Sequence, residues 1–305
     1  MGGFGDDGVV KIAVTGSTGL IGTALVTRLH QAGHDVLRLV RHAPRRADEV
    51  AWDPEAGTID VDRLAGVEAA VHLAGAGVGD KRWTEEYKRV IRDSRVLGTR
   101  TLVKALTSLG PLPRVLVSGS AVGFYGDRGD EELTEDSAAG QGFLAGVVRA
   151  WEAETEPASA AGIRVALIRS GLVMSPEGGA FGRIIPLVKL GAGGPLGSGQ
   201  QWWPWITLED EVGAIEFLLS HDVSGPVNLS APNPARQRDV VKALASAAHR
   251  PALLPAPRFG LRIVLGEFAG EVLASQRELP RKLEAAGYAF RHPTLEDAVR
   301  WTLRT

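Results

Sequence analysis

The sequence predicts an α/β fold in which a doubly wound parallel sheet carries a smaller subdomain and a helical C-terminal cap. Three observations support this prediction. Short apolar runs alternate with stretches of helical periodicity, a glycine-rich turn directly follows the first apolar run, and a proline-rich segment precedes the last helical stretches. Such alternation is typical of a parallel sheet, because each parallel connection needs a crossover.

The composition indicates a globular protein that acts on small molecules. Of the 305 residues, 44% are hydrophobic and 23% are charged, and the formal net charge is −2. This balance gives no basic surface for nucleic acid or an anionic membrane. The chain has no cysteine, and its seven histidines are scattered without an HExxH pair, so no metal site is predicted. The first eight residues lack the features of a signal peptide, and a cytoplasmic location is expected.

The first apolar run, Lys11 to Thr15, leads directly into a glycine-rich turn. A buried strand that delivers such a turn to a helix N-terminus is the arrangement that binds the pyrophosphate of a dinucleotide. In this pattern Gly16 permits the tight turn, Gly19 lets backbone N–H groups approach the phosphates, and Gly22 lets the helix lie close to the sheet. The residues predicted to bind the cofactor here are Gly16, Ser17, Thr18, Gly19, Leu20, Ile21 and Gly22.

The end of the second strand predicts which dinucleotide is bound. An acidic residue at this position binds the ribose hydroxyls of NAD and repels a 2′-phosphate. This chain instead has Arg41 and His42, followed by Arg45 and Arg46. Because a guanidinium can make a bidentate contact with phosphate, NADP(H) is the predicted cofactor, held by Arg41 and His42. The alternative is that these basic residues form a solvated face of the loop.

Two further segments are predicted to contact the cofactor. The apolar run that begins at Ala69 ends in Leu73, Ala74, Gly75 and Ala76, whose small side chains let the adenine and its ribose lie against backbone. Arg95 lies midway along a helical pattern from Thr84 to Thr107, and it is the basic residue expected to turn toward the phosphates.

A family resemblance rests on three segments: TGSTGLIG, LAGAG and SGSAVGFYG, the last of which spans Ser118 to Gly126. Together they resemble the extended short-chain dehydrogenase/reductase superfamily, which has a Rossmann-type sheet. The resemblance implies that Ser120 is the catalytic serine, which binds the substrate carbonyl or alcohol. It also assigns Ser118, Gly171, Leu172 and Val173 to the cofactor site, the last three beside the nicotinamide. The acidic loop Asp127 to Asp136 is expected to be solvated.

The usual proton donor of that superfamily is absent from this sequence. Its members generally carry a Tyr-x-x-x-Lys pair on the next helix, because a tyrosine serves as the acid only when a nearby ammonium lowers its pKa. The matching positions are Phe143 and Val147, and neither side chain can donate a proton. Tyr125 or a water is the predicted proton relay in its place, with the alternative that Tyr125 is an aromatic packing residue.

The later segments resemble one atypical branch of the superfamily, labelled NAD(P)-dependent epimerase-family or nucleoside-diphosphate-sugar epimerase-like proteins. They include Trp151-Glu152, Gly194 to Ile206 and Ser275 to Pro280, and the branch ends in a small domain of unknown function. Gln201 and Trp203 are predicted to contact the substrate. The alternative is that the tryptophans of this segment anchor the loop against the core.

Two functions follow from these observations. The first is an NADP(H)-dependent oxidoreductase or epimerase-like enzyme that transfers hydride to or from a small carbonyl or alcohol, or a sugar-nucleotide-like molecule. The second is a non-catalytic NADP(H)-binding module that senses redox state. A small-molecule substrate and a homodimer are expected. The predicted organisation is a loose tail at residues 1–8, an NADP-binding domain at 9–175, interleaved substrate-side elements at 176–250 and a small C-terminal domain at 251–305.

Overall fold

The computed structural model describes residues 8–252 and 254–304. Most of the predicted tail, and one residue of the proline-rich segment, thus lie outside the described residues. The strands are β1 Lys11–Thr15, β2 Asp35–Val40, β3 Glu49–Asp53, β4 Thr58–Ile59, β5 Ala69–His72, β6 Val115–Gly119, β7 Glu132–Leu133, β8 Arg164–Ser170, β9 Leu172–Met174, β10 Trp202–Trp203, β11 Trp205–Thr207, β12 Gly225–Leu229, β13 Ala235–Arg236 and β14 Arg277–Glu278.

Helices connect most of these strands. They are α1 Leu20–Gln31, α2 Glu85–Thr107, α3 Phe143–Ala153, α4 Glu156–Ala160, α5 Gly179–Lys189, α6 Leu208–Ser220, α7 Gln237–Ala247, α8 Arg258–Leu265, α9 Ala269–Val272, α10 Arg281–Ala285 and α11 Leu295–Arg304. Among the described residues, no helix is both long enough and apolar enough to cross a membrane.

The central sheet has the strand order β12-β8-β6-β5-β1-β2-β3-β4. All neighbouring pairs from β12 to β3 are parallel, and only β4 pairs antiparallel, at the edge. The direction in which strands are added reverses between β1 and β5. Ligands of open α/β sheets bind at such a reversal, beyond the carboxyl ends of the strands. The predicted doubly wound sheet is confirmed.

Apolar layers cover both faces of the sheet. On one face α1 and α6 pack through residues such as Leu25, Leu29 and Leu218, all without exposed surface. On the other face α2 and α4 pack through residues such as Leu102 and Ala158. Strands buried on both faces read as continuous apolar runs, which is why the sequence predicts them without an alternating pattern.

A smaller set of elements lies over the carboxyl edge of the sheet. Helices α5, α7 and α11 share one apolar cluster with β10 and β11. The strand β14 pairs in parallel with β7, so the C-terminal segment packs onto the loop after β6. The acidic loop 127–136 is only partly solvated as expected, because Leu133 and Glu135 are buried whereas its other acidic side chains are exposed.

Candidate functional site

The turn between β1 and α1 requires glycine at two positions. Gly16 has a φ of +67°, and a Cβ there would lie 2.7 Å from the carbonyl carbon of Leu73 on the neighbouring strand end. A Cβ on Gly22 would lie 2.1 Å from the carbonyl oxygen of Gly16. The predicted roles of these two glycines, a tight turn and close packing of the helix, agree with these contacts.

The N-terminus of α1 is open toward the carboxyl edge of the sheet. Its N-cap residue is Gly19, no side chain caps it, and its first turn holds no acidic residue. A Cβ on Gly19 would approach only the carbonyl oxygen of Gly16, at 3.4 Å. The fold itself therefore leaves space at Gly19, next to the N–H groups of Leu20 and Ile21, where a phosphate can accept hydrogen bonds. Ser17 and Thr18 belong to the same turn.

Basic side chains at the end of β2 differ in their partners. Arg38 makes ion pairs with Asp48 at 2.8 Å and Glu49 at 3.0 Å, and is therefore committed to the fold. Arg41 is exposed and forms no ion pair with a described residue. His42 is also exposed, and its Nδ1 lies 2.9 Å from the carbonyl oxygen of Ala43. The Arg41 guanidinium is thus available for an anionic ligand at this strand end.

Thr15 fixes the chain at the end of β5. Its Oγ1 accepts hydrogen bonds from the N–H groups of Leu73 at 3.1 Å and Ala74 at 3.2 Å. The same oxygen lies 2.7 Å from Nδ1 of His72, a fully buried residue. Burial lowers the pKa of His72 to about 4, so the ring is neutral and Nδ1 accepts the threonine proton. His72 is therefore a packing residue that supports the loop.

Arg95, on α2, holds the loop after β5 through hydrogen bonds to backbone carbonyl groups. Its Nη1 donates to the carbonyl oxygens of Ala76 at 2.9 Å and Ile91 at 3.0 Å. Burial lowers the pKa of Arg95 to about 10, which still leaves the guanidinium charged at neutral pH. Ser94 accepts a hydrogen bond from the N–H of Ala76. These contacts hold Ala74 to Ala76 beside the turn of Gly16, where the sequence predicts the adenosine.

The residue after β6, Ser120, belongs to a buried polar network. Its Oγ donates to Oε1 of Glu152 at 2.6 Å, and Arg169 binds the same carboxylate through Nε at 2.9 Å and Nη2 at 3.0 Å. Because the serine proton points to Glu152, the oxygen lone pairs of Ser120 remain for another donor. In this arrangement Ser120 can accept a hydrogen bond from a substrate hydroxyl.

Tyr125 is enclosed rather than available to a substrate. It has no exposed surface, its hydroxyl lies 2.6 Å from Oδ1 of Asn228, and Nη1 of Arg169 donates to it at 3.1 Å. Burial and the field of Glu278 raise the pKa of Tyr125 above its ordinary value. The predicted proton-relay role of Tyr125 does not fit this placement, and the packing alternative does.

The positions of the missing tyrosine and lysine are occupied by an apolar cluster. Val147 is buried against Trp83, Tyr87 and Ile91. The ring of Phe143 meets that of Trp83 edge to face, with centroids 5.0 Å apart. A charged lysine at position 147 would lie among the apolar side chains of this cluster, so the surroundings agree with the loss of the pair.

The segment predicted to lie beside the nicotinamide follows β8. A Cβ on Gly171 would lie 2.1 Å from the carbonyl oxygen of Pro204, so this glycine is required by close packing of backbone. Leu172 and Val173 are half-buried and border the open side of the edge. Ser118 has no exposed surface inside β6, and this burial speaks against the predicted contact of its side chain with the cofactor.

The tryptophan-rich segment is mainly structural. Gln201 is buried and its Nε2 donates to the carbonyl oxygen of Leu196 at 3.1 Å. Trp203 is buried in the cluster of α5 and α7, edge to face with Phe181. The predicted substrate contacts of Gln201 and Trp203 do not fit these positions, because both side chains already face the protein interior. The alternative, a loop anchored against the core, agrees with the structure.

The residues that sequence reasoning missed are charged groups in buried elements. Arg169 lies within the apolar strand RVALIRS, and Glu152 follows a buried tryptophan on α3. A charge in an apolar run signals a buried partner, since unpaired buried charges are strongly unfavourable. The sequence carries that signal but does not identify the partner, because Ser120, Glu152 and Arg169 come from three separate elements.

Comparison with known proteins agrees with this geometry. The chain is 43% identical over 290 residues to Epimerase family protein Mb2239 of Mycobacterium bovis, covering 94% of this chain and 96% of that protein. It is 37% identical to the chloroplastic Epimerase family protein SDR39U1 homolog of Arabidopsis thaliana, covering 95% of this chain and 86% of that protein. The crystal structure of human epimerase family protein SDR39U1 with NADPH superposes with a TM-score of 0.86 at 30% identity, covering 97% of this chain and all of that one.

Two family matches divide the chain. Residues 256–302 match a domain of unknown function, DUF1731, which the sequence resemblance anticipates at the C-terminus. Residues 12–230, which include the glycine-rich turn, Ser120 and β8, match the NAD dependent epimerase/dehydratase family. The predicted resemblance is confirmed, and the chain belongs to the NAD dependent epimerase/dehydratase family.

Proposed function

We propose that this protein is an NADP(H)-dependent oxidoreductase or epimerase-like enzyme that acts by hydride transfer on a small carbonyl or alcohol. The observation that carries the proposal is that one sheet edge holds both the uncapped N-terminus of α1 and the Ser120–Glu152 hydrogen bond. When bound, NADPH would supply hydride to a carbonyl carbon, and NADP⁺ would accept it from an alcohol carbon, with the proton exchanged through a water. The residues of this chain hold the cofactor. Ser120 orients an alcohol by accepting the hydrogen bond of its hydroxyl group, and orients a carbonyl by turning its own hydroxyl from Glu152 to donate to the carbonyl oxygen.

The preference for NADP(H) over NAD(H) rests on Arg41. Its guanidinium has no described ion-pair partner, whereas Arg38 on the same strand is paired twice. Titration of NADPH and NADH with intrinsic fluorescence tests this role. In Arg41→Ala the affinity for NADPH should fall about tenfold or more, with little change for NADH, because a charge-assisted contact to the 2′-phosphate is lost. Arg92→Ala, which removes an exposed arginine from α2, is the control of equal charge.

The role of Ser120 is tested with a panel of carbonyl compounds and alcohols. Wild-type protein should oxidise NADPH, or reduce NADP⁺, with at least one member of the panel. Ser120→Ala should lower kcat/KM for that compound by about 10²-fold or more while NADPH still binds, since the hydroxyl that orients the substrate oxygen is lost and the turn that holds the cofactor is unchanged. Unchanged turnover in Ser120→Ala would contradict the role given to this hydroxyl.

The second candidate, a non-catalytic NADP(H)-binding module, is favoured by one observation. The positions of the usual acid pair are Phe143 and Val147, and both pack in an apolar cluster. In that case no compound of the panel reacts, and the oligomeric state differs between NADP⁺ and NADPH when measured by light scattering. Light scattering also tests the homodimer that we propose for either function. The proposed location is the cytoplasm, which holds NADP(H).

A further inference from the structure

A buried carboxyl group lies next to the segment that follows β8. Glu211 is in the first turn of α6 and has no exposed surface. The hydroxyl of Ser170, the last residue of β8, donates to Oε1 of Glu211 at 2.5 Å. Oε2 of Glu211 has no hydrogen-bond partner among the described residues. Neither the fold nor the proposed role of Ser120 uses this pair.

The sheet order places the pair on the nicotinamide side, and this step rests on the proposed function. The pyrophosphate lies at the N-terminus of α1, next to β1, and the phosphate of the adenosine lies at Arg41, after β2. Strands β5, β6 and β8 follow on the opposite side of β1. A dinucleotide that begins at β2 and crosses β1 therefore carries its nicotinamide half over the ends of β6 and β8, where Ser120 and Ser170 are found.

No cation neutralises Glu211 within the described residues. Arg169 of β8 binds Glu152, and Arg28 of α1 pairs with Glu216 at 2.5 Å. Asp210, the preceding residue, accepts the backbone N–H groups of Arg291 and His292. Among the described residues, several charged or titratable groups surround Glu211 and α6. They are Glu209, Asp210 and Glu216 on the helix, His221 at its end, Arg28 of α1, Arg164 and Arg169 of β8, and Glu278, Tyr288, Arg291 and His292 of the C-terminal segment; β6, β9 and β11 contribute none.

The protonation state of Glu211 follows from this environment. Burial raises its pKa to about 8, and the hydrogen bond from Ser170 opposes the shift. The nearby Glu278 is likewise buried, with both carboxyl oxygens unpartnered among the described residues, and burial raises its pKa well above the ordinary value. Glu211 is therefore mainly neutral at pH 7, and a positive charge placed beside it would favour its ionised form.

We propose that the Ser170–Glu211 pair couples proton binding to the oxidation state of the nicotinamide. The oxidised ring carries a positive charge and the reduced ring is neutral. NADP⁺ therefore binds with release of the Glu211 proton, whereas NADPH binds with Glu211 protonated. By linkage, the affinity for NADP⁺ relative to NADPH rises with pH, because the ionised carboxylate favours the charged ring.

The experiment measures the Kd of NADP⁺ and of NADPH by calorimetry between pH 6.5 and 9. We use the ratio of the two dissociation constants because both cofactors carry the same 2′-phosphate. The effect of its titration on affinity is therefore the same for both and cancels in the ratio. We expect the ratio to change about tenfold in favour of NADP⁺ across this range, as a pKa change of about one unit requires. Repeating the NADP⁺ titration at pH 8 in buffers of different ionisation enthalpy should also show net release of protons.

Three variants separate the possible outcomes. Glu211→Gln should bind both cofactors with a ratio independent of pH. Glu271→Gln removes another acid whose pKa is raised by burial, on α9, and should retain the wild-type dependence. Ser170→Ala keeps the acid but removes its hydrogen bond, and should shift the dependence to higher pH. A ratio independent of pH in wild-type protein, or a dependence that survives in Glu211→Gln, overturns the coupling. If neither cofactor binds wild-type protein, the proposed function fails as well.

Discussion

Gly19 and Gly22 lie three residues apart in the same turn, but different atoms surround them. A Cβ on Gly22 would meet backbone of Gly16 and Ser17 at 2.1–2.9 Å, and backbone cannot move away as a flexible side chain can. A Cβ on Gly19 would have a single contact, at 3.4 Å. Gly22 is therefore required by the fold. Gly19 is not, and its missing side chain leaves space for the phosphates of the proposed cofactor.

This difference predicts that the same substitution lowers the free energy of unfolding at Gly22 but barely changes it at Gly19, although both variants lose affinity for NADPH. Gly22→Ala should destabilise the protein by ~1–3 kcal/mol, as overpacking of a well-packed site does, and should also abolish NADPH binding. Gly19→Ala should change the free energy of unfolding by less than ~1 kcal/mol and still weaken NADPH binding strongly, because the new methyl group occupies the phosphate space. Urea unfolding and fluorescence titration of both variants measure the two effects. Equal destabilisation by the two substitutions would contradict the assignment.

Helix α3 packs against α2 through the positions where the superfamily usually carries its Tyr-x-x-x-Lys pair. The face of α3 that meets α2 presents Phe143 and Val147 to Trp83, Tyr87 and Ile91. The ring of Phe268, from the C-terminal domain, packs on Trp83 with centroids 5.5 Å apart. The site of the usual acid pair has thus become a contact between the Rossmann sheet and the C-terminal segment.

A lysine placed back on this face should not restore the acid pair. Val147→Lys buries an ammonium with no described partner, and we expect a loss of ~3 kcal/mol or more in the free energy of unfolding. Gly146→Lys adds the same charge one residue earlier, where a Cβ would meet no atom within 4 Å, and should be close to neutral. Urea midpoints of the two variants test this difference. A Val147→Lys protein as stable as Gly146→Lys would show that position 147 is not closed by the cluster.

Elements set by local pattern could be predicted from the sequence, and contacts between distant segments could not. The strand Lys11–Thr15 and its glycine turn follow from a dozen consecutive residues. In contrast, the burial of Tyr125 depends on Asn228, over a hundred residues later, and Gln201 is held by the N–H of Gln237, which donates to its carbonyl oxygen from another element. An aromatic or amide side chain in a loop gives no sign of such a partner. The predicted cofactor side therefore agrees with the structure better than the predicted substrate side.

At the scale of the whole molecule, the C-terminal segment packs against the loop that follows β6 and Ser120. The N–H of Leu279 donates to the carbonyl oxygen of Leu133, and Oε1 of Glu135 accepts the N–H groups of Asn228 and Lys282. These contacts enclose Tyr125 and place Glu278 in the same interior. Glu135 and Glu278 are thus both buried where the C-terminal segment meets the loop after β6.

The burial of Glu211 and Glu278 predicts how the free energy of unfolding depends on pH in the absence of cofactor. Burial raises the pKa of Glu211 from 4.5 to about 8, so the folded state binds a proton that the unfolded state releases. The stabilisation is complete below about pH 4.5 and is lost progressively as the pH rises to about 8. Glu278, also raised, adds a dependence of the same sign.

Glu211→Gln isolates the contribution of Glu211, because the amide stays neutral at every pH and its oxygen can still accept the hydrogen bond from Ser170. Near pH 5 the variant and the wild type should have similar free energies of unfolding. At pH 8 the variant should be the more stable by an amount on the order of a few kcal/mol, since it no longer resists ionisation on folding. Urea unfolding at pH 5, 6.5 and 8 measures the difference. If the gap between variant and wild type is constant across these pH values, Glu211 ionises as readily in the fold as in the unfolded chain.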